Sequence, residues 1–202
     1  MEIIKIDLDD FSSDDVEIVA GRIKDGNVVV LQTETVYGFS AIATSQNAID
    51  KIYKIKKRTP QQQKHLISLV RSFCMIRKYC FLSKRQYDYL KKEWSKERAL
   101  TVILKGRNNN VIKELISEDQ GIAVRLPKSE FLLHLIKVLD APIVSTSLNI
   151  TGKKELEDIS EIDKYFKDVK PDIVVDAGIL PKQKPSRLVN LMDMDNIEVI
   201  RE

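Results

Sequence analysis

Histidine and cysteine are scarce in this chain, with two of each among 202 residues. Cys74 and Cys80 stand alone among apolar and basic residues, with no zinc spacing and a poor disulfide framework. Both read as incidental thiols, and a cytoplasmic setting is expected. His65 and His134 have no metal-ligand spacing, so neither a protein-held metal nor histidine acid–base catalysis is expected. Apolar runs stay well short of the ~20 residues a membrane span needs. The start Met1-Glu2-Ile3 lacks the basic and apolar regions of a leader, so no membrane partner is expected. With 7 glycines and 6 prolines there is no linker, repeat or low-complexity tract, and the expectation is one domain over residues 1–202. Three signatures are missing as well: the phosphate loop G-x-x-x-x-G-K-[ST], the dinucleotide fingerprint G-x-G-x-x-G and the nucleophile elbow G-x-S-x-G.

What is present is an alternation of Val/Ile-rich runs with longer amphipathic segments, which argues for α/β or interleaved α+β. Strands are expected at Ile3–Leu8, Val28–Gln32, Gly38–Ala43, Leu66–Val70, Ala99–Leu104, Ile122–Leu126, Ala141–Ser145, Ile173–Val175, Leu188–Leu191 and Ile197–Ile200. Helices are expected at Ser13–Lys24, Ser45–Lys57, Ser83–Trp94, Ser129–Leu139 and Ile159–Phe166, with the stretch around Cys74 ambiguous. Serines stand where N-caps belong, and Gly26 closes the first helix.

Two strands end abruptly in polar groups. Val28-Val29-Val30-Leu31 runs into Thr33, Glu34, Thr35, Tyr37 and Gly38; Pro142-Ile143-Val144 runs into Ser145, Thr146, Ser147 and Asn149. Ligands of α/β folds gather at the carboxyl ends of strands, and such groups can donate to phosphate or carboxylate oxygens. A polar turn satisfied by its own backbone is the plainer reading of either segment alone. The charge is +3 overall but uneven: Lys51 to His65 holds six Lys/Arg and no acid, including Lys54, Lys56, Lys57 and Arg58. Arg125 sits inside the apolar stretch G-I-A-V-R-L-P, where an unpaired charge is costly, so it must reach solvent or an anion. Hydroxyls, an amide, Lys and Arg suit the positioning and charge neutralisation of nucleotidyl transfer.

Taken together and in order, these segments resemble the YrdC-like family, the threonylcarbamoyl-AMP synthases of transfer-RNA modification. The likeness runs from about Asp10 to Arg201. It rests on Q-T-E-T-V-Y-G-F, Lys56-Lys57-Arg58, Lys64-His65-Leu66, Val124 to Pro127, S-T-S-L-N-I-T-G and P-S-R-L. The resemblance implies a twisted mixed sheet with helices and a large, positively charged concave cavity. It also implies a reaction: ATP, L-threonine and bicarbonate give threonylcarbamoyl-AMP and pyrophosphate, with Mg2+ accompanying ATP. By motif, Thr35, Arg125, Thr146 and Ser186 would hold threonine. Lys56, Arg58, Lys64, Ser147, Asn149 and Arg201 would hold ATP, with Lys56, Arg58, Ser147 and Asn149 the catalytic set. Transfer RNA or double-stranded RNA and a downstream threonylcarbamoyl-transfer complex are the further partners implied. The rival is a catalytically weak member that acts as an RNA-binding protein; a third reading, a carbamoyl-transfer domain, belongs to larger chains.

Departures from the family pattern give local expectations. Gln32 and His65 stand for prolines and loosen the backbone there. Leu148 replaces a small alanine and is expected to crowd the nucleotide. Arg187 replaces the threonine after Ser186. If that backbone is extended, Arg187 faces away from the cavity that Ser186 faces.

Overall fold

A computed structural model describes residues 1–34, 36–58, 66–107, 115–117, 119–179 and 184–202. Among them ten strands form one mixed sheet: β1 (Glu2–Lys5), β2 (Val29–Gln32), β3 (Tyr37–Ile42), β4 (Ile67–Leu69), β5 (Leu100–Lys105), β6 (Gly121–Arg125), β7 (Ile143–Ser147), β8 (Ile173–Asp176), β9 (Arg187–Asn190) and β10 (Glu198–Arg201). Across the sheet the order is β1-β8-β2-β3-β7-β4-β6-β5-β9-β10. Four pairs are parallel (β1·β8, β2·β8, β4·β6, β5·β9), and the three at the centre, β2·β3, β3·β7 and β7·β4, are antiparallel. The helices are α1 (Ser13–Lys24), α2 (Gln46–Ile55), α3 (Phe73–Tyr79), α4 (Lys84–Glu93), α5 (Glu130–Leu139) and α6 (Ile162–Tyr165).

Five of the six helices among the described residues start at a serine whose hydroxyl accepts an amide of the first turn: Ser12, Ser45, Ser72, Ser83 and Ser129. Such caps satisfy donors that a helix leaves open and are worth about 1 kcal/mol each. Ser72 resolves the ambiguous stretch around Cys74 as a short helix. Cys74 within it and Cys80 just after it are free; Cys80 is buried, which pushes its thiol up to about 12.

The period-2 alternation of the strands divides the apolar residues between two faces. Val29, Leu31, Ile173 and Val175 join α1 and α3–α5 on one; Val28, Val30, Val174, Tyr37 and Phe39 join α2 and α6 on the other. Two shifts from the sequence reading matter. The seventh strand begins two residues later than Ala141 and runs on to Ser147, because Gly38 and Phe39 pair with Ser147 and Thr146. Its hydroxyls therefore stand on regular strand rather than beyond it. Ile159–Phe166 is a single 3-10 turn leading into the four residues of α6. Among the described residues, no helix is long and apolar enough to cross a membrane.

Candidate active site

A cavity of about 340 Å3 opens where the ends of β2, β6, β7 and β10 and the C-terminus of α2 converge. Its walls include Thr33, Gly38, Arg58, Arg125, Ser145, Thr146, Ser147, Glu155, Ser186 and Arg201. Three guanidiniums thus face one carboxylate, Glu155, which favours an anionic occupant. A larger cavity of about 400 Å3, rich in Lys54, Lys57, Lys153, Lys164 and Lys167, contains none of the candidate residues.

One wall is a shared hydroxyl. Arg125 Nη2 and Arg201 Nη2 both donate to Ser186 Oγ, at 2.8 and 3.1 Å. Two donors fill that oxygen's lone pairs, so its proton goes to Thr101 Oγ1 at 2.9 Å. Thr101 Oγ1 also accepts Arg125 Nε at 3.0 Å, and Arg201 Nε donates to the Ser186 carbonyl at 2.9 Å. Ser186 therefore brings two guanidiniums together, with its own hydroxyl fully engaged. Arg125 is 5 % exposed, and that burial lowers its pKa while Glu34 opposes the shift. The Glu34 carboxylate lies 3.7 Å from Arg125 Nη1, and neither of its buried oxygens has a hydrogen-bond partner among the described residues. The anion that Arg125 demanded is thus supplied in part from within the chain.

The opposite wall is the end of β7. Gly38 is required there: a Cβ would meet the Thr146 carbonyl oxygen at 2.8 Å. Thr33 Oγ1 donates to the Val36 carbonyl at 2.7 Å and fixes the turn from β2 into β3. Arg58 lines the cavity with its guanidinium 5.7 Å from the Tyr53 ring centroid, and burial lowers its pKa.

Lys56 lies behind this wall. It is 1 % exposed, and its ammonium donates to Ser147 O (2.6 Å), Asn149 O (3.0 Å) and Asn149 Oδ1 (2.6 Å). Burial first, then the neighbouring Arg58, pushes its pKa down to about 7. Asn149 joins Lys56 behind the cavity rather than in its lining, and its Nδ2 donates to the Lys153 carbonyl at 2.7 Å. Thr35, Lys64 and His65 lie outside the described residues. Leu148, expected to crowd a nucleotide, instead fills the core on the α2 face and is fully buried. Its side chain packs into that core and is not part of the cavity lining, so the bulk at this position leaves the cavity untouched. Arg187 does turn away, towards Glu93 (3.7 Å) and Glu202 (3.2 Å).

Sequence reasoning named Glu34 as one of the polar groups that end a strand but gave it no role, and it gave none to Thr101 or Glu155. Glu34 had a signal, standing between two flagged threonines. Thr101 had none, because a threonine within an apolar strand is ordinary. Among the described residues no group of three or more His, Cys, Asp and Glu could hold a metal.

The sequence and fold of the chain are matched by known proteins. Residues 22–202 match the sequence model of the Sua5/YciO/YrdC family, described as "Telomere recombination". The chain belongs to that family. It is 35 % identical over 188 residues to a Methanocaldococcus jannaschii protein with a provisional threonylcarbamoyl-AMP synthase name, covering 92 % of this chain and 84 % of that one. A Neisseria meningitidis threonylcarbamoyl-AMP synthase is 29 % identical over 171 residues, 83 % of this chain and 86 % of its own. Among solved structures, Escherichia coli YciO superposes with a TM-score of 0.82 at 24 % identity, over all of this chain and 94 % of that one. Pyrococcus abyssi Sua5 complexed with L-threonine gives 0.81 at 27 % identity, over 94 % of this chain and 54 % of that one.

Proposed function

We propose that this family member makes L-threonylcarbamoyl-AMP from L-threonine, bicarbonate and ATP. Threonine and bicarbonate condense with loss of water and a proton to an N-carboxylate. One of its oxygens attacks the α-phosphorus of ATP, and pyrophosphate leaves. The single observation that carries the reading is the meeting, in one cavity, of the polar ends of β2 and β7 with Arg58, Arg125 and Arg201. Arg125 and Arg201, gathered on Ser186, suit the amino-acid carboxylate as planar two-pronged donors. Arg58, which lines the cavity together with Ser147, suits the phosphates, with magnesium arriving on ATP as part of the substrate. Such a site accelerates reaction by holding reactants and neutralising charge, which is what phosphoryl chemistry asks of a protein. Names of relatives and a relative's threonine complex add support. The product would be consumed by an enzyme that transfers the threonylcarbamoyl group to transfer RNA.

The test is pyrophosphate release from ATP with threonine and bicarbonate supplied singly and together. Release that needs both supports the reading; ATP turnover indifferent to threonine refutes it. A second reading, an RNA-binding protein with little chemistry, is favoured by the cavity with five lysines. It calls for steeply salt-dependent RNA binding and no threonine-dependent turnover.

A further inference from the structure

Lysine in a basic motif beside a nucleotide site suggests a phosphate ligand, yet the surroundings of Lys56 leave no proton for one. An ammonium has three N–H groups. Here three oxygens take them, two from Asn149 and one from Ser147. The Phe39 ring lies 5.7 Å from Nζ. The backbone of Lys56 is held as firmly: its N–H donates to the Ile52 carbonyl at the end of α2, and its carbonyl accepts the Thr151 N–H at 2.9 Å.

Lys56 gathers the oxygens of the turn, whose other ties lie elsewhere: the Leu148 N–H donates to the Tyr37 carbonyl at 3.1 Å and the Leu156 N–H to the Leu148 carbonyl at 2.8 Å. Ser147 Oγ donates to Asn149 Oδ1 at 2.9 Å, and the Asn149 N–H returns to the Ser147 carbonyl at 2.9 Å. Two carbonyls and an amide oxygen thus converge on one point, which would be repulsive without a cation between them. A compact point charge with three donors suits that position; a planar guanidinium does not. Arg58 and Ser147 both line the cavity, and Lys56 ties the segment carrying one to the segment carrying the other.

We propose that Lys56 is a positioning residue: it acts on the nucleotide by pinning the Ser147–Asn149 turn against the end of α2 and sets the spacing between Ser147 and Arg58. This rests on the reading of the cavity as a nucleotide site. Burial of the ammonium, at 1 % exposure, fits a structural pin better than a group meeting an incoming phosphate.

Two measurements on Lys56→Met, a swap of similar length and volume, test it: amide hydrogen exchange at Leu148 to Thr151 without ligand, and calorimetric binding of ATP and of AMP. The expected result is exchange at least tenfold faster at those amides, with ATP and AMP weakened by the same factor to within twofold. Unchanged exchange with weakened ATP binding overturns the proposal and makes Lys56 a phosphate ligand. Faster exchange with unaltered nucleotide binding overturns it too, because the turn would then have no bearing on the site. If Lys56→Met does not fold, Asn149→Ala removes one of the three acceptors, Oδ1, and leaves the two backbone carbonyls; a smaller but clear rise in exchange at Leu148 to Thr151 is expected, and unchanged exchange overturns the proposal. Failure of the unmodified protein to bind either nucleotide would instead defeat the functional reading, and this inference with it.

Discussion

Replacing Ser186 with alanine removes one oxygen and disturbs three partners. The magnitude follows from where those partners lie. Arg125 Nη2 loses an acceptor at 2.8 Å in a site that is 5 % exposed, and hydrogen bonds to buried charges are worth about 1.5–3 kcal/mol. Arg201 is exposed, so water replaces most of what its Nη2 loses, leaving ~0.5 kcal/mol or less. Thr101 Oγ1, buried, loses a neutral partner worth about 1 kcal/mol. The sum is about 2.5–4.5 kcal/mol of unfolding free energy. For a chain of this size each kcal/mol lowers Tm by about 2–4 °C, so Ser186→Ala should melt about 5–18 °C lower. Threonine affinity should fall at least tenfold, because the two guanidiniums lose the hydroxyl that holds them together. Calorimetric melting and threonine titration check both halves. A Tm within 2 °C of the unmodified protein would refute the shared-hydroxyl account of this wall.

Other outcomes follow from the same geometry. Arg58→Ala should lower turnover roughly 10²-fold with the fold intact, the usual cost of losing a positioned charge-stabilising donor; near-normal turnover in a folded variant would return Arg58 to ordinary surface. Arg187→Thr should leave the Michaelis constants for ATP and threonine within about twofold, since Arg187 is engaged with Glu93 and Glu202 outside the cavity; a tenfold rise in either would contradict that placement. The Lys56 pKa is lowered from 10.5 to about 7 in the folded chain, so the unfolded chain binds more protons between those values, and this group's contribution to stability rises with pH across that window. Urea unfolding of the unmodified protein and Lys56→Met should therefore diverge in favour of the former from about pH 7 upwards, and a constant difference would show that the ammonium is not destabilised by burial.

Much of the fold was readable before any coordinates. Serine caps and 3.6-residue apolar spacing located α1, α2, α4 and α5 to within two residues, because both signals are local. Strand identity was equally plain, whereas strand ends were not: where β7 stops depends on Gly38 across the ladder, a partner more than a hundred residues away in sequence. The candidate site was legible as a set of residue types. Arg58, Arg125, Thr146, Ser147, Ser186 and Arg201 do share one cavity. Their division of labour was not legible, for hydrogen bonds are made between side chains that meet only after folding.

Sequence alone determined the alternating α/β pattern, the polar ends of β2 and β7, and the need of Arg125 for an anion, since period, propensity and the cost of burying charge are properties of short segments. Tertiary structure alone decided that Glu34 lies beside Arg125, that Ser186 serves two arginines, that Leu148 fills the core and that Lys56 faces a turn instead of the cavity. Each of those depends on which atoms lie within about 3–4 Å, the range over which hydrogen bonds and packing act, and that proximity is set by the sheet order.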